Sequence, residues 1–280
     1  MNGTHSSPAT TDGQDDGPLV TRDPWSALRA HTPANIAIGR VGHSLPTREV
    51  LRFGLAHAQA RDAVHVALDV GRLGRDLAAS GWPSATVQSA AAGRPTYLCR
   101  PDLGRSLCEA GARHLDALAQ ASRQAPDLCL VIGDGLSAVA VQTHAVPLLD
   151  ALRARWREAA NRVSFTPVVI ATQARVALGD DIGQRLRANM VVMLIGERPG
   201  LSSPDSLGVY LTWGPRVGRS DAERNCISNV RTEGLSYRIA AYRLAWLIDA
   251  ASRRGLTGVA LKDESDRPVL DAAGGMLAPD

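Results

Sequence analysis

The stretch Met190–Ser206, MVVMLIGERPGLSSPDS, opens as an unbroken apolar run and breaks off in a charged turn rich in glycine and proline. An apolar run of that length, bounded by turn signals, reads as a strand buried on both faces. Glu197 and Arg198 then stand where the strand emerges from its sheet. In open α/β sheets the crevice outside the carboxyl ends of strands is where ligands sit. One short segment therefore proposes both a core and a site.

Working outward, the same pattern recurs upstream. Leu128–Ile132 (LCLVI) reads as a strand ending in Gly133-Asp134-Gly135, and Phe165–Thr172 (FTPVVIAT) as another. A helix is expected from Leu136 through Ala145, kinked or restarted at Pro147 and continuing to about Ala160, and a second over Ala174–Ala188. Leu107, Gly111, Leu115 and Leu118 follow a helical period up to Ala125-Pro126. Downstream, Leu207–Trp213 alternates enough for a fourth strand, a candidate for antiparallel pairing, and Ser236–Arg254 is a long amphipathic helix stopped by Gly255. Strands alternating with helices imply βαβ units with right-handed crossovers.

The expected fold class is therefore α/β, with a Rossmann-like parallel-sheet C-terminal domain over residues 101–280. Before it, residues 21–100 read as a smaller, mainly helical N-terminal domain without a strong strand. A helix starts at Thr47, with Leu51, Leu55 and Ala58 on one face, and another runs from about Asp69 to Ser80. The Gly/Pro-punctuated segment Ala90–Pro101 marks the boundary, and the polar residues 1–20 read as a disordered tail.

Composition narrows the chemistry. The 280 residues, 45% hydrophobic and 21% charged, permit a sizeable core. The scarcity of aromatics, at 4%, leaves that core to Val, Leu, Ile and Ala. No run approaches the roughly 18 apolar residues of a membrane span, and the N-terminus lacks a secretory pattern. Net charge is +3, and the arginines are spread without a phosphate-tracking stripe, so neither nucleic acid nor membrane is an expected partner. Cys99, Cys108, Cys129 and Cys226 form no C-x-x-C pair, which suits a reduced, cytosolic protein. The only lysine, Lys262, precedes Asp263, which excludes a phosphate-binding P-loop, and its place in the C-terminal tail argues against a pyridoxal Schiff base.

Four motifs follow predicted strands. Gly133-Asp134-Gly135-Leu136-Ser137-Ala138 matches G-x-G-x-x-A, but the next strand ends Ala171-Thr172-Gln173, without the carboxylate that grips a ribose. A tight βα turn is the favoured reading, with Asp134 and Ser137 still able to face a ligand. In Gln173-Ala174-Arg175-Val176-Ala177, Arg175 could pair with a phosphate or carboxylate, or simply sit on the surface above a buried Val176. Glu197 could accept hydrogen bonds from a ligand, or form a local salt bridge that orders its loop. Cys226, within the polar run Asp221–Asn229, lacks both an activating histidine and a metal-ligand spacing, so a small buried thiol is the default. No catalytic constellation and no metal site emerges.

Taken together, LVIGDGLSAVAVQTHAVPLL (Leu130–Leu149), TPVVIATQARVALGDDIG (Thr166–Gly183), MVVMLIGERPGLSSPDSLGVY (Met190–Tyr210) and DAERNCISNVRTEGLSYRIAA (Asp221–Ala241) resemble the small (light) subunit of ethanolamine ammonia-lyase. The combination of IGERPGLSSPDSLG with ERNCISN is specific, and Ile38–Val64 is similar, more loosely, to the family's N-terminal helical part. The resemblance implies an adenosylcobalamin-dependent, radical-forming lyase that converts ethanolamine to acetaldehyde and ammonia. Large subunits hold the substrate and most catalytic residues, and the small subunit closes over the cobalamin, so no catalytic residue is expected on this chain. The implied cobalamin contacts are Val176 in QARVA, Glu197 in IGERPG and Cys226 in RNCISN. Lacking D-x-H-x-x-G, the chain resembles enzymes that hold cobalamin with its own base on cobalt. The resemblance also implies a hetero-oligomer with equal numbers of both subunits, located in the cytoplasm, where a bacterial microcompartment could enclose it. The rival readings are a free-standing nucleotide-dependent oxidoreductase built on GDGLSA and a structural microcompartment adaptor.

Overall fold

A computed structural model describes residues 20–32, 34–122, 124–158 and 163–266, together with the backbone of the short paired strands Val269–Leu270 and Met276–Leu277. The tail expected over 1–20 lies, up to residue 19, outside the described residues, as does the helix end expected near Ala160. In chain order the elements are α1 (Thr47–His65), α2 (Val70–Ala79), β1 (Ser84–Gln88), α3 (Arg94–Cys99), α4 (Glu109–Ala121), β2 (Leu128–Gly133), α5 (Ala138–Glu158), β3 (Val168–Thr172), α6 (Leu178–Arg185), β4 (Met190–Gly196), β5 (Leu207–Trp213), β6 (Arg224–Val230) and α7 (Tyr237–Arg254). Residues 1–57 and 58–280 form two compact units, and the sheet belongs to the second. Within the first, the buried Glu49 is held by Arg29 at 3.2 Å.

The strand order is β1-β3-β2-β4-β5-β6. The first four strands are parallel to their neighbours, whereas β5 runs antiparallel to both β4 and β6. The sheet is thus mixed rather than parallel. The physical reason lies in residues 197–206, which contain no helix and are fewer than the dozen or so residues that a parallel crossover needs.

All of β2 and β4 is buried. Alternation sends Met190, Val192 and Leu194 into one hydrophobic cluster, with Leu148 and Leu152 of α5 and Leu244 and Leu247 of α7. Val191, Met193 and Ile195 enter the other, with Leu115 of α4 and Leu178 and Ile182 of α6. Side chains on opposite faces of a strand need cover on both sides, and helices supply it.

Four local expectations differ from the structure. β1 lies in the stretch read as helical, because this edge strand buries only Val87 and so carries little apolar signal. β6 occupies the polar run after the last expected strand and buries only Arg224, Ile227 and Val230, a pattern suited to a solvated sheet edge. α5 begins at Ala138 and passes through Pro147 as one helix; its start is set by Ser137, whose Oγ accepts from the Ala140 N–H at 3.2 Å. α6 begins only at Leu178, because residues 173–177 are held in a turn by bonds described below. No helix among the described residues is long and apolar enough to cross a membrane.

Candidate functional site

Because β2, β3 and β4 are parallel, Gly133, Thr172 and Gly196 end at the same edge of the sheet. Three loops converge there. The first, Asp134–Ser137, is consumed by internal bonding. The Asp134 carboxylate accepts the backbone N–H groups of Gln173 and Ala174, each at 2.9 Å, and pairs with Arg94 at 3.5 Å. Burial pushes this carboxyl up from its ordinary value, and the two N–H donors and Arg94 oppose that shift. Gly135 has φ +56°, and a Cβ there would lie 2.2 Å from the Gly196 carbonyl oxygen. The Leu136 N–H donates to that same oxygen at 2.9 Å. Asp134 and Ser137 are both buried, so neither faces a ligand. GDGLSA is a packed turn.

Asp134 in turn shapes the second loop. Gln173 sits at φ +55°, a left-handed conformation fixed by its N–H bond to Asp134. The Arg175 N–H donates to the Gly104 carbonyl at 2.8 Å, which delays the helix to Leu178. Arg175 lies over the Tyr97 ring at 4.3 Å, and Arg94 lies over it at 4.7 Å. The Tyr97 hydroxyl donates to the Ala174 carbonyl at 3.0 Å, and desolvation pushes its pKa up to about 12.

The third loop carries Glu197. Its carboxylate accepts from the Ser206 hydroxyl, from the Ser228 hydroxyl at 2.5 Å and from the Asn229 N–H at 3.2 Å. Among the described residues no cation pairs with it, so the salt-bridge alternative does not apply. Gly208 passes beneath it: a Cβ there would meet Glu197 Oε1 at 3.0 Å. The loop is pinned from behind, where Ser137 donates to the Pro204 carbonyl at 2.8 Å and Asp205 lies 3.3 Å from His144, itself 2.7 Å from the Tyr237 hydroxyl.

Between the second and third loops is a cleft of about 430 Å³, lined by Tyr97, Arg175, Val176, Glu197, Arg198, Tyr210 and Ser228 among others. The structure thus brings Val176 and Glu197 into one cleft. Cys226 is not on its wall. It is exposed on β6, directly across from Tyr210 of β5. Partial desolvation raises the thiol above its ordinary value. Tyr97, Tyr210 and Ser206 escaped the reading of the sequence. Ser228 lay in the polar run already singled out, whereas nothing around Tyr97 signals its place. A larger hollow of about 700 Å³ is lined entirely by residues of 20–48 and contains none of the three expected contacts. Among the described residues no cluster of three or more His, Cys, Asp or Glu could hold a metal ion.

Fold and cleft define a class: a mixed α/β chain with a candidate ligand cleft at the carboxyl ends of its parallel strands. The model of the ethanolamine ammonia-lyase light chain family matches residues 22–262. A Pseudomonas paraeruginosa (strain DSM 24068 / PA7) protein named ethanolamine ammonia-lyase small subunit is 56% identical over 249 residues, covering 89% of this chain and 90% of the relative. A Ralstonia nicotianae (strain ATCC BAA-1114 / GMI1000) protein of the same name is 52% identical over 263 residues, covering 94% and 97%. One from Xanthomonas campestris pv. campestris (strain B100) is 54% identical over 254 residues, covering 89% and 91%. The chain belongs to the ethanolamine ammonia-lyase small-subunit family.

Proposed function

We propose that this chain is the small subunit of an adenosylcobalamin-dependent ethanolamine ammonia-lyase, which converts ethanolamine to acetaldehyde and ammonia. In this reading the cleft at the strand exits is one wall of the cobalamin site, and a large subunit, present in equal number, supplies the substrate site and closes the other side. Family membership along most of the chain is the observation that carries the proposal.

The residues of the cleft fit the group. A carboxylate offers about four lone-pair sites, and three are taken at Glu197 by Ser206, Ser228 and Asn229. Those bonds orient it and leave capacity for an amide N–H of the corrin fringe. Val176 presents an apolar surface suited to the ring. Cys226, exposed on the strand that also carries Ser228, offers a small side chain for close contact. The Nε of Arg175, a residue of the cleft, is buried without a partner, as expected of a group awaiting a ligand. Bound cobalamin would supply the radical chemistry, while the protein supplies position and exclusion of water. Residues 101–280 provide all three proposed contacts, and in this reading their parallel strands β3, β2 and β4 form the Rossmann-like part. The complex is placed in the cytoplasm, where a microcompartment could enclose it.

The test is a visible-spectrum titration of cobalamin into this chain with and without the large subunit. Cobalamin binding and ethanolamine turnover that need both chains are the expected result. Turnover without cobalamin, or tight NAD binding by the isolated chain, would overturn the proposal.

A further inference from the structure

Beside the cleft lies a second hollow of about 640 Å³, and the two share Arg175 and Val176. Four arginines line it (Arg105, Arg175, Arg219 and Arg224), against the single carboxylate of Asp221. Two of these arginines are already committed. Arg224 is buried against Asp180 at 2.8 Å, and Arg219 is bound to Glu223 and to the carbonyls of Trp213 and Gly214. Asp221 is itself engaged by Arg224 at 3.3 Å.

Arg105 and Arg175 are in a different state. The Arg175 guanidinium lies over the Tyr97 ring at 4.3 Å, its Nη2 makes only a long 3.4 Å bond to the Tyr97 carbonyl, and its Nε is buried with no partner. Among the described residues no hydrogen bond or ion pair engages the exposed Arg105 side chain. The turn that carries Arg105 is fixed next to Arg175 by the bond from the Arg175 N–H to the Gly104 carbonyl. A Cβ on Gly104 would come within 2.9 Å of the Arg175 side chain. The sequence therefore keeps two guanidinium groups without a carboxylate partner at one hollow, one of them placed over the Tyr97 ring. Planar guanidinium donors match phosphate oxygens in a fork geometry.

We propose that Arg105 and Arg175 form a binding site for a phosphate-class anion, next to the cobalamin wall. Two sources share that chemistry: the phosphodiester in the nucleotide tail of cobalamin, and free inorganic phosphate. Only the first rests on the function proposed above.

The experiment uses the complex with the large subunit and two corrinoids, hydroxocobalamin and dicyanocobinamide, the second lacking phosphodiester and base. If the tail phosphate is the ligand, the wild-type complex prefers hydroxocobalamin. Arg105→Gln then lowers that preference about tenfold, the scale of one charge-assisted contact, with little change for cobinamide, while Arg175→Lys lowers hydroxocobalamin binding more than cobinamide binding. If the ligand is free phosphate, inorganic phosphate raises the melting temperature of the wild-type complex beyond chloride at equal ionic strength. Arg105→Gln, an exposed change that leaves the fold intact, then abolishes the shift without altering the corrinoid preference. If neither the preference nor the phosphate shift depends on Arg105, the inference is overturned. Failure of the wild-type complex to bind either corrinoid would instead sink the cobalamin reading and leave the phosphate arm standing.

Discussion

Glu197 shows how a residue visible in sequence acquires a role only through its partners. Three donors from the loop and from β6 hold its carboxylate at the cleft. Hydrogen bonds to charged groups contribute about 1.5–3 kcal/mol. Glu197→Ala is therefore expected to weaken cobalamin binding to the complex by about ten- to a hundredfold, while Glu197→Gln, which keeps one acceptor oxygen, loses less. An unchanged dissociation constant for Glu197→Ala in a spectral titration would remove this residue from the cofactor wall. Gly135 makes the opposite kind of demand. With φ at +56° and the Gly196 oxygen only 2.2 Å from where a Cβ would stand, Gly135→Ala combines left-handed strain with a backbone clash. A loss of stability on the order of 3 kcal/mol in urea unfolding is the expectation. That glycine was legible in the G-x-G pattern, but its partner across the sheet was not.

At the level of elements, the edge strand β6 depends on the turn that introduces it. Ser220 and Glu223 form a reciprocal cap on the 3-10 turn Asp221–Glu223, and Arg219 binds the same glutamate. The Ser220 N–H, first, and Arg219, second, hold the Glu223 carboxyl down at about 2, against an ordinary value of 4.5. Because the folded value is depressed, the cap's contribution is fully present above about pH 4.5 and is lost as pH falls toward 2. Wild type should accordingly exceed Glu223→Gln in melting temperature near neutrality, with the gap closing between pH 4.5 and 2. A gap independent of pH would show that Glu223 acts by packing instead. The buried strands were legible because each is a local apolar run. The edge strands β1 and β6 were not, since their outward residues face solvent and leave little apolar signal, and the partner of β1 is remote in sequence, Ser84 pairing with Val168. The α5 helix also ran through Pro147, where a kink or restart was expected.

For the whole molecule, Val176, Glu197 and Tyr210 meet because three loops leave one edge of a sheet whose strands the chain visits out of order. The cleft holds only about 430 Å³, so one chain would enclose little of a large corrinoid. The isolated chain is expected to bind cobalamin at least about a hundredfold more weakly than the two-chain complex, as measured by equilibrium dialysis; equal affinities would show that this chain holds the cofactor alone. By itself the sequence determined the helix and strand alternation of the core, the exclusion of P-loop chemistry and the motifs that mark the family. All of these are contained in contiguous residues, as hydrophobic period, turn chemistry or residue identity. Only the tertiary structure decided that β1 pairs with β3 at the edge of the sheet, that Asp134 serves the neighbouring loop rather than a ligand, that Cys226 lies across from Tyr210, and that Arg105 comes to lie beside Arg175. Each of these depends on side chains far apart in the chain, and no local pattern records which loops a sheet will bring together.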